Sequence, residues 1–107
     1  MQTFPELLKN IREESDLTQE EMARALGVST ILISMIETGQ KDASKKLIVK
    51  LADKLDVHPS SIVPFVFIDK NAKPEKMTGI EKSLLTLGEK LQDQLIKVKA
   101  KNLKKYA

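Results

Sequence analysis

The stretch "GVSTILISMIETG", residues 27–39, sets two hydroxyls, Thr30 and Ser34, among Ile31, Leu32, Ile33, Met35 and Ile36, with a glycine at each end. Hydroxyls of this kind form single hydrogen bonds to a donor or an acceptor, and the thioether and branched carbons beside them offer only apolar packing. Such groups suit recognition better than bond-making. Nucleophilic or metal-assisted chemistry needs a base beside the nucleophile, or several nitrogen and sulfur ligands. This sequence has no cysteine and a single histidine, His58, placed before Pro59 where it fits the N-cap of a short helix. No glycine-rich loop is present to cradle a phosphate, because the four glycines sit at isolated turns or, as Gly88, within a late apolar-patterned stretch. An enzyme, a resident cofactor and a metal site are therefore not expected.

The elements that must position residues 27–39 are marked by caps. Thr3–Glu6, Thr18–Glu21 and Thr78–Glu81 each pair a hydroxyl with a glutamate three residues on, the reciprocal arrangement that satisfies orphan amides at a helix start. The first opens a helix carrying Leu7, Leu8 and Ile11; the second opens "QEEMARAL", with Met22, Ala23 and Leu26 on one side and Gly27 as its stop. Ser29 caps the next helix and Ser44 caps "KKLIVKLADKL", whose Leu47, Ile48, Leu51, Ala52 and Leu55 form an apolar stripe. A short piece around Ser60–Val63, closed by Pro64, completes five short helices by residue 66. Helical geometry puts Ser29, Ile33 and Ile36 on one face with Leu32 at its shoulder, and turns Thr30, Ile31, Ser34 and Met35 the other way.

The chain divides into a head (residues 1–68), a polar connector "DKNAKPEKMT" (69–78) and a C-terminal stretch (79–107) read as one amphipathic helix. Ile80, Leu84, Leu87, Leu91, Leu95 and Val98 follow at spacings of 4, 3, 4, 4 and 3, a coiled-coil-like seam with one stutter. Two roles stay open for that helix: pairing with another chain, or folding back to complete the head's own core. Asn102 continues the seam as a polar residue suited to fixing its register. In bulk the 107 residues are 41% apolar and 31% charged, with 18 Lys+Arg against 15 Asp+Glu, the composition of an ordinary folded domain. The charge is lopsided: residues 1–66 carry 8 basic and 10 acidic residues, and residues 67–107 carry 10 and 5. The late lysines fall at several α-helical angles and read as a diffuse solvated end. No run approaches a membrane span, no secretory pattern opens the chain, and the cytoplasm is the expected address.

Residues 19–39, "QEEMARALGVSTILISMIETG", resemble the helix-turn-helix of the Cro/C1-type (Xre family) bacterial and phage repressors. Gln19, Met22–Ala23, the Gly27–Val28–Ser29 turn, Ile33–Ser34, Ile36–Glu37 and Gly39 carry the likeness, which with its flanks covers about residues 6–63. It implies an all-α, five-helix lambda-repressor-like head and a transcriptional regulator that binds double-stranded DNA. It further implies that Thr30, Ile31, Ser34 and Met35 meet base edges in the major groove, and that Thr18, Gln19, Ser29, Gln40, Lys41, Lys45 and Lys46 approach the phosphate backbone. Arg12 and Glu37 occupy the positions of an ion pair between the first and third helices. The base-facing set lacks Arg, Lys, Asn and Gln, so bidentate readout is unavailable; Ile31 and Met35 can instead pack on thymine methyl groups, with DNA shape adding the rest.

Few cations per head make half-site binding weak, so a homodimer on a palindromic operator is expected, and the resemblance implies that it acts as a repressor. Its candidate contacts are Ile62, Phe65 and Phe67 together with the seam Ile80, Leu84, Leu87, Leu91, Leu95 and Val98. The alternative is a helix-turn-helix protein-interaction module, such as an antitoxin or an anti-repressor's partner, using the outward Ile31 and Met35 as an apolar docking face. Neither reading calls for a small-molecule ligand.

Overall fold

The computed structural model describes residues 3–66, 90 and 92–107. Four α-helices, α1 (Phe4–Glu14), α2 (Gln19–Leu26), α3 (Thr30–Glu37) and α4 (Lys45–Leu55), are followed by a 3-10 turn at Pro59–Ser61 and a one-turn helix, α5 (Val63–Val66). No described residue lies in a strand, and no described helix is long and apolar enough to cross a membrane.

Each start is held by the hydroxyl expected of it. Thr18 and Glu21 form the complete reciprocal box, with the Glu21 amide donating to Thr18 Oγ1 at 3.1 Å and the Thr18 amide donating to Glu21 Oε1 at 3.0 Å. Ser29 and Ser44 accept from the amides of Leu32 and Leu47, both at 3.1 Å. His58 accepts the Ser60 amide at Nδ1, 3.2 Å away, and so caps the 3-10 turn. Gly27, at φ +67°, ends α2 in the left-handed conformation. The same conformation is taken by Asp56 after α4 and by Asp16 beyond α1, at φ 61° and 59°; aspartate visits it more readily than most residues with a Cβ.

The apolar stripes converge. Leu7, Leu8 and Ile11 of α1, Met22, Ala23 and Leu26 of α2, Ile33 and Ile36 of α3, and Leu47, Leu51, Ala52 and Leu55 of α4 form one buried core, with Leu32 and Val28 half-buried at its edge. Ile62 and Phe65 belong to that core as well, each fully buried. Both were expected at a dimer interface; they are instead the plug that α5 drives against α1, and neither has surface to offer a second chain.

The C-terminal part also departs from the expected helix. In place of one uninterrupted α-helix, the described residues form a π-helical segment, Gln94–Lys99, and then a 3-10 helix, Ala100–Tyr106. This C-terminal arm lies against α1, α2 and α4. Leu95, 1% exposed, and the fully buried Ala100 and Leu103 join the head's core, so the fold-back role applies to Leu95, while Val98 of the same seam stays 61% exposed. The physical reason is local pitch. A wide π turn and a tight 3-10 turn bring residues 95, 100 and 103 onto one docked face, which a uniform 3.6-residue pitch does not. Ser15 Oγ, itself buried, reaches Ala100 O at 2.6 Å and Ile11 O at 2.7 Å, Asn102 Nδ2 donates to Leu55 O at 2.9 Å, and Lys54 Nζ stacks 4.1 Å over the Tyr106 ring. Asn102 therefore satisfies a carbonyl at the end of α4 rather than setting the register of a seam. Phe67, Ile80, Leu84, Leu87 and Leu91, the connector and the Thr78–Glu81 cap lie outside the described residues.

Candidate nucleic-acid interface

The face to be explained is the outer side of α3. Ile33 and Ile36, both buried, fasten the helix to the core, and the opposite side carries Thr30 and Ile31, exposed, and Ser34 and Met35, half-buried. Ile31 is 72% exposed. The helix thus holds this isoleucine in solvent, where it is accessible to a partner from outside the fold.

The far end of α3 is clamped to α1 by Arg12. Its Nε donates to Glu37 Oε2 at 2.9 Å, its Nη2 donates to Glu37 Oε1 at 3.1 Å, and its Nη1 donates to Leu17 O at 3.0 Å. The two side chains retain 15% and 3% of their exposure, so the fork is largely withdrawn from water and aligned for bidentate bonding. The hydrogen bonds to Glu37 hold the guanidinium in its charged form and raise its pKa, outweighing the opposing effect of burial. Gln19 Nε2 adds a third donor to Glu37 Oε1 at 3.3 Å. One carboxylate thus gathers the start of α2 and the end of α1 onto the end of α3, fixing the angle at which the outer face is presented.

Most of the polar groups expected to approach phosphate are exposed. Thr18 is exposed at the N-terminus of α2, where free amides and the positive end of the helix dipole favour an anion. Its amide and hydroxyl are both engaged with Glu21, and the neighbouring Gln19 side chain turns toward Glu37, which leaves the backbone of the first turn as the freer donor. The Glu21 carboxyl is held below its ordinary pKa of 4.5, first by the Thr18 amide, then by the Thr18 hydroxyl, with smaller contributions from Arg24 and Lys104. Ser29 is exposed at the start of α3. Gln40 and Lys41 are exposed just past its end, in a turn closed by their amides on Met35 O at 2.8 and 3.2 Å, and Lys45 and Lys46 are exposed on the first turn of α4. The arm's anchors, Ser15, Asn102 and the Lys54–Tyr106 stack, had no signal in the α-helical pattern beyond the polar Asn102. Among the described residues no group of three His, Asp or Glu is placed to hold a metal ion.

The pattern of the helix-turn-helix family matches residues 8–62 of this chain. An uncharacterized HTH-type transcriptional regulator of Methanocaldococcus jannaschii is 42% identical over 62 residues, which are 58% of this chain and 91% of that protein. No solved structure matches.

Proposed function

Because the chain belongs to the helix-turn-helix family, of the Cro/C1 type, we propose that it is a sequence-specific DNA-binding transcriptional regulator, a repressor that occupies a palindromic operator as a homodimer. The observation that carries this reading is the orientation of α3: buried by Ile33 and Ile36, clamped by Arg12–Glu37, and free along Thr30, Ile31, Ser34 and Met35. A helix so held enters the major groove with those four side chains toward the base edges. Ile31 and Met35 pack on thymine methyl groups, and Thr30 and Ser34 each supply single hydrogen bonds. Thr18, Gln19, Ser29, Gln40, Lys41, Lys45 and Lys46 hold the phosphate backbone and set the register without reading sequence.

With Ile62, Phe65 and Leu95 taken up by the chain's own core, the dimer is assigned to Phe67, to Ile80, Leu84, Leu87 and Leu91, and to the exposed Val98. Two joined heads spaced by about one turn of DNA raise the effective concentration of the second half-site. Repression then follows from occupancy alone.

Selection of bound duplexes from a random DNA pool tests the reading. The expected outcome is a two-fold symmetric consensus rich in thymine at the half-site centres, lost in the variant Ile31→Ala/Met35→Ala; recovery of unrelated sequences without enrichment refutes it. The exposure of Ile31 also supports a second reading, a protein-docking face. Binding of a protein partner that is insensitive to salt, with no duplex retained at low salt, would favour that one.

A further inference from the structure

The head that meets DNA in this reading is itself acidic, with 8 basic and 10 acidic residues over 1–66, and Glu20 and Glu21 lie in the first turn of α2 beside the expected phosphate approach. The C-terminal arm answers both features. Over residues 92–107 it carries five lysines against one aspartate, a net +4. In a 3-10 helix three residues complete a turn, so side chains three apart eclipse one another. Over Ala100–Tyr106 this period produces three separate rows. Ala100, Leu103 and Tyr106 are the docked row, two of them buried and the third under Lys54. Asn102 and Lys105 form the row toward α4, fixed there by the bond from Asn102 to Leu55 O. Lys101 and Lys104 form the remaining row, both exposed.

That last row lies on the α2 side. The 3-10 helix packs against α2, and Ala100, immediately before Lys101, is joined to Ser15, three residues ahead of the Thr18 cap; Lys104 accordingly helps to lower the pKa of the Glu21 carboxyl. A segment whose lysines scatter when wound as an α-helix thus becomes, wound as a 3-10 helix and docked, a two-lysine row beside the first turn of α2.

We propose that Lys101 and Lys104 are a second set of DNA-phosphate contacts, in which the arm of each protomer grips the phosphodiester backbone flanking its own half-site. The ligand chemistry is the phosphate oxygens of duplex DNA. This rests on the DNA-binding reading and adds to it: the arm works as part of the interface, offsets the acidic first turn of α2, and carries no sequence information.

The test is the salt dependence of binding to a fluorescent mixed-sequence duplex, where electrostatic contacts supply nearly all of the affinity. The full chain is compared with Lys101→Gln/Lys104→Gln and with a control of equal charge change at exposed lysines outside that row, Lys9→Gln/Lys105→Gln. Each phosphate contact contributes about 0.9 to the slope of log K against log salt. The slope is expected to fall by about 1.8 per bound protomer, about 3.6 for the dimer, in the first variant and to stay at the parent value in the control, with thermal melting unchanged because both lysines are exposed. The inference is overturned by an unmoved slope in the first variant, or by equal loss in the control, while the parent still binds. Failure of the parent to bind duplex DNA at low salt removes the DNA-binding reading, and this inference with it.

Discussion

Replacing Arg12 with alanine isolates what the clamp between α1 and α3 is worth. Three donor bonds disappear, two to Glu37 and one to Leu17 O, and a carboxylate with 3% of its surface exposed keeps only the 3.3 Å contact from Gln19. Charge-assisted hydrogen bonds are worth about 1.5–3 kcal/mol each to a mutant lacking one partner, and breaking a buried pair costs about 3–5 kcal/mol. Arg12 retains some exposure, so the lower end applies, about 3 kcal/mol. For a domain of this size each kcal/mol moves the melting midpoint by about 4–8 °C, so Arg12→Ala should melt some 12–24 °C below the parent in a circular dichroism scan. Two comparisons give the figure its meaning. Lys9→Ala, which removes an exposed i,i+4 pair 4.0 Å from Glu13, should move the midpoint by under about 4 °C, since such helix pairs contribute roughly 0.3–0.5 kcal/mol. The double variant Arg12→Met/Glu37→Leu should recover much of the loss, because apolar replacements leave no stranded charge. A midpoint for Arg12→Ala within about 4 °C of the parent, or a double variant less stable than both single ones, would refute this account of the clamp.

Three further outcomes follow from the same contacts. Leu103→Ala should destabilise the folded chain by about 2–5 kcal/mol, the usual cost of a cavity at a fully buried leucine, and an unchanged urea midpoint would show that the arm is not part of the core. The capping box should be sensitive to acid: Glu21 has its pKa lowered by folding, so its contribution is fully present above the ordinary carboxylate value of 4.5 and disappears as pH falls through the lower folded value. Melting curves recorded from neutral to acid pH should therefore lose stability less steeply in Glu21→Gln than in the parent, and parallel curves would contradict the assignment. Ile31→Ala should leave the folding stability within about 0.5 kcal/mol of the parent, as exposed sites do, while weakening binding to the selected operator; equal binding would place base readout elsewhere.

The amino-acid sequence by itself determined the head. Hydroxyl caps at Thr3, Thr18, Ser29 and Ser44, the left-handed stop at Gly27, and apolar stripes of helical period on α1, α2 and α4 are local signals, each decided within a turn or two of chain. They also sort the two sides of α3, because Ile33 and Ile36 fall on the side the core needs and Ile31 does not. Two other helix ends, at Asp16 and Asp56, take a positive φ that glycine would have announced and aspartate does not.

Tertiary structure alone decided the fate of the apolar residues left over. Ile62 and Phe65 read as surface for a partner, and Leu95 as either that or core for its own chain, since periodicity records that a face is apolar and not what covers it. The head retained an uncovered patch between α1, α2 and α4, and filling it with Leu95, Ala100 and Leu103 required backbone pitches other than the α-helical one. Contacts between residues 85 positions apart, such as Ser15 with Ala100, choose that pitch. The choice removes Leu95 from any seam and turns scattered lysines into a row, because burial of apolar surface outweighs the modest preference of a short segment for regular helix.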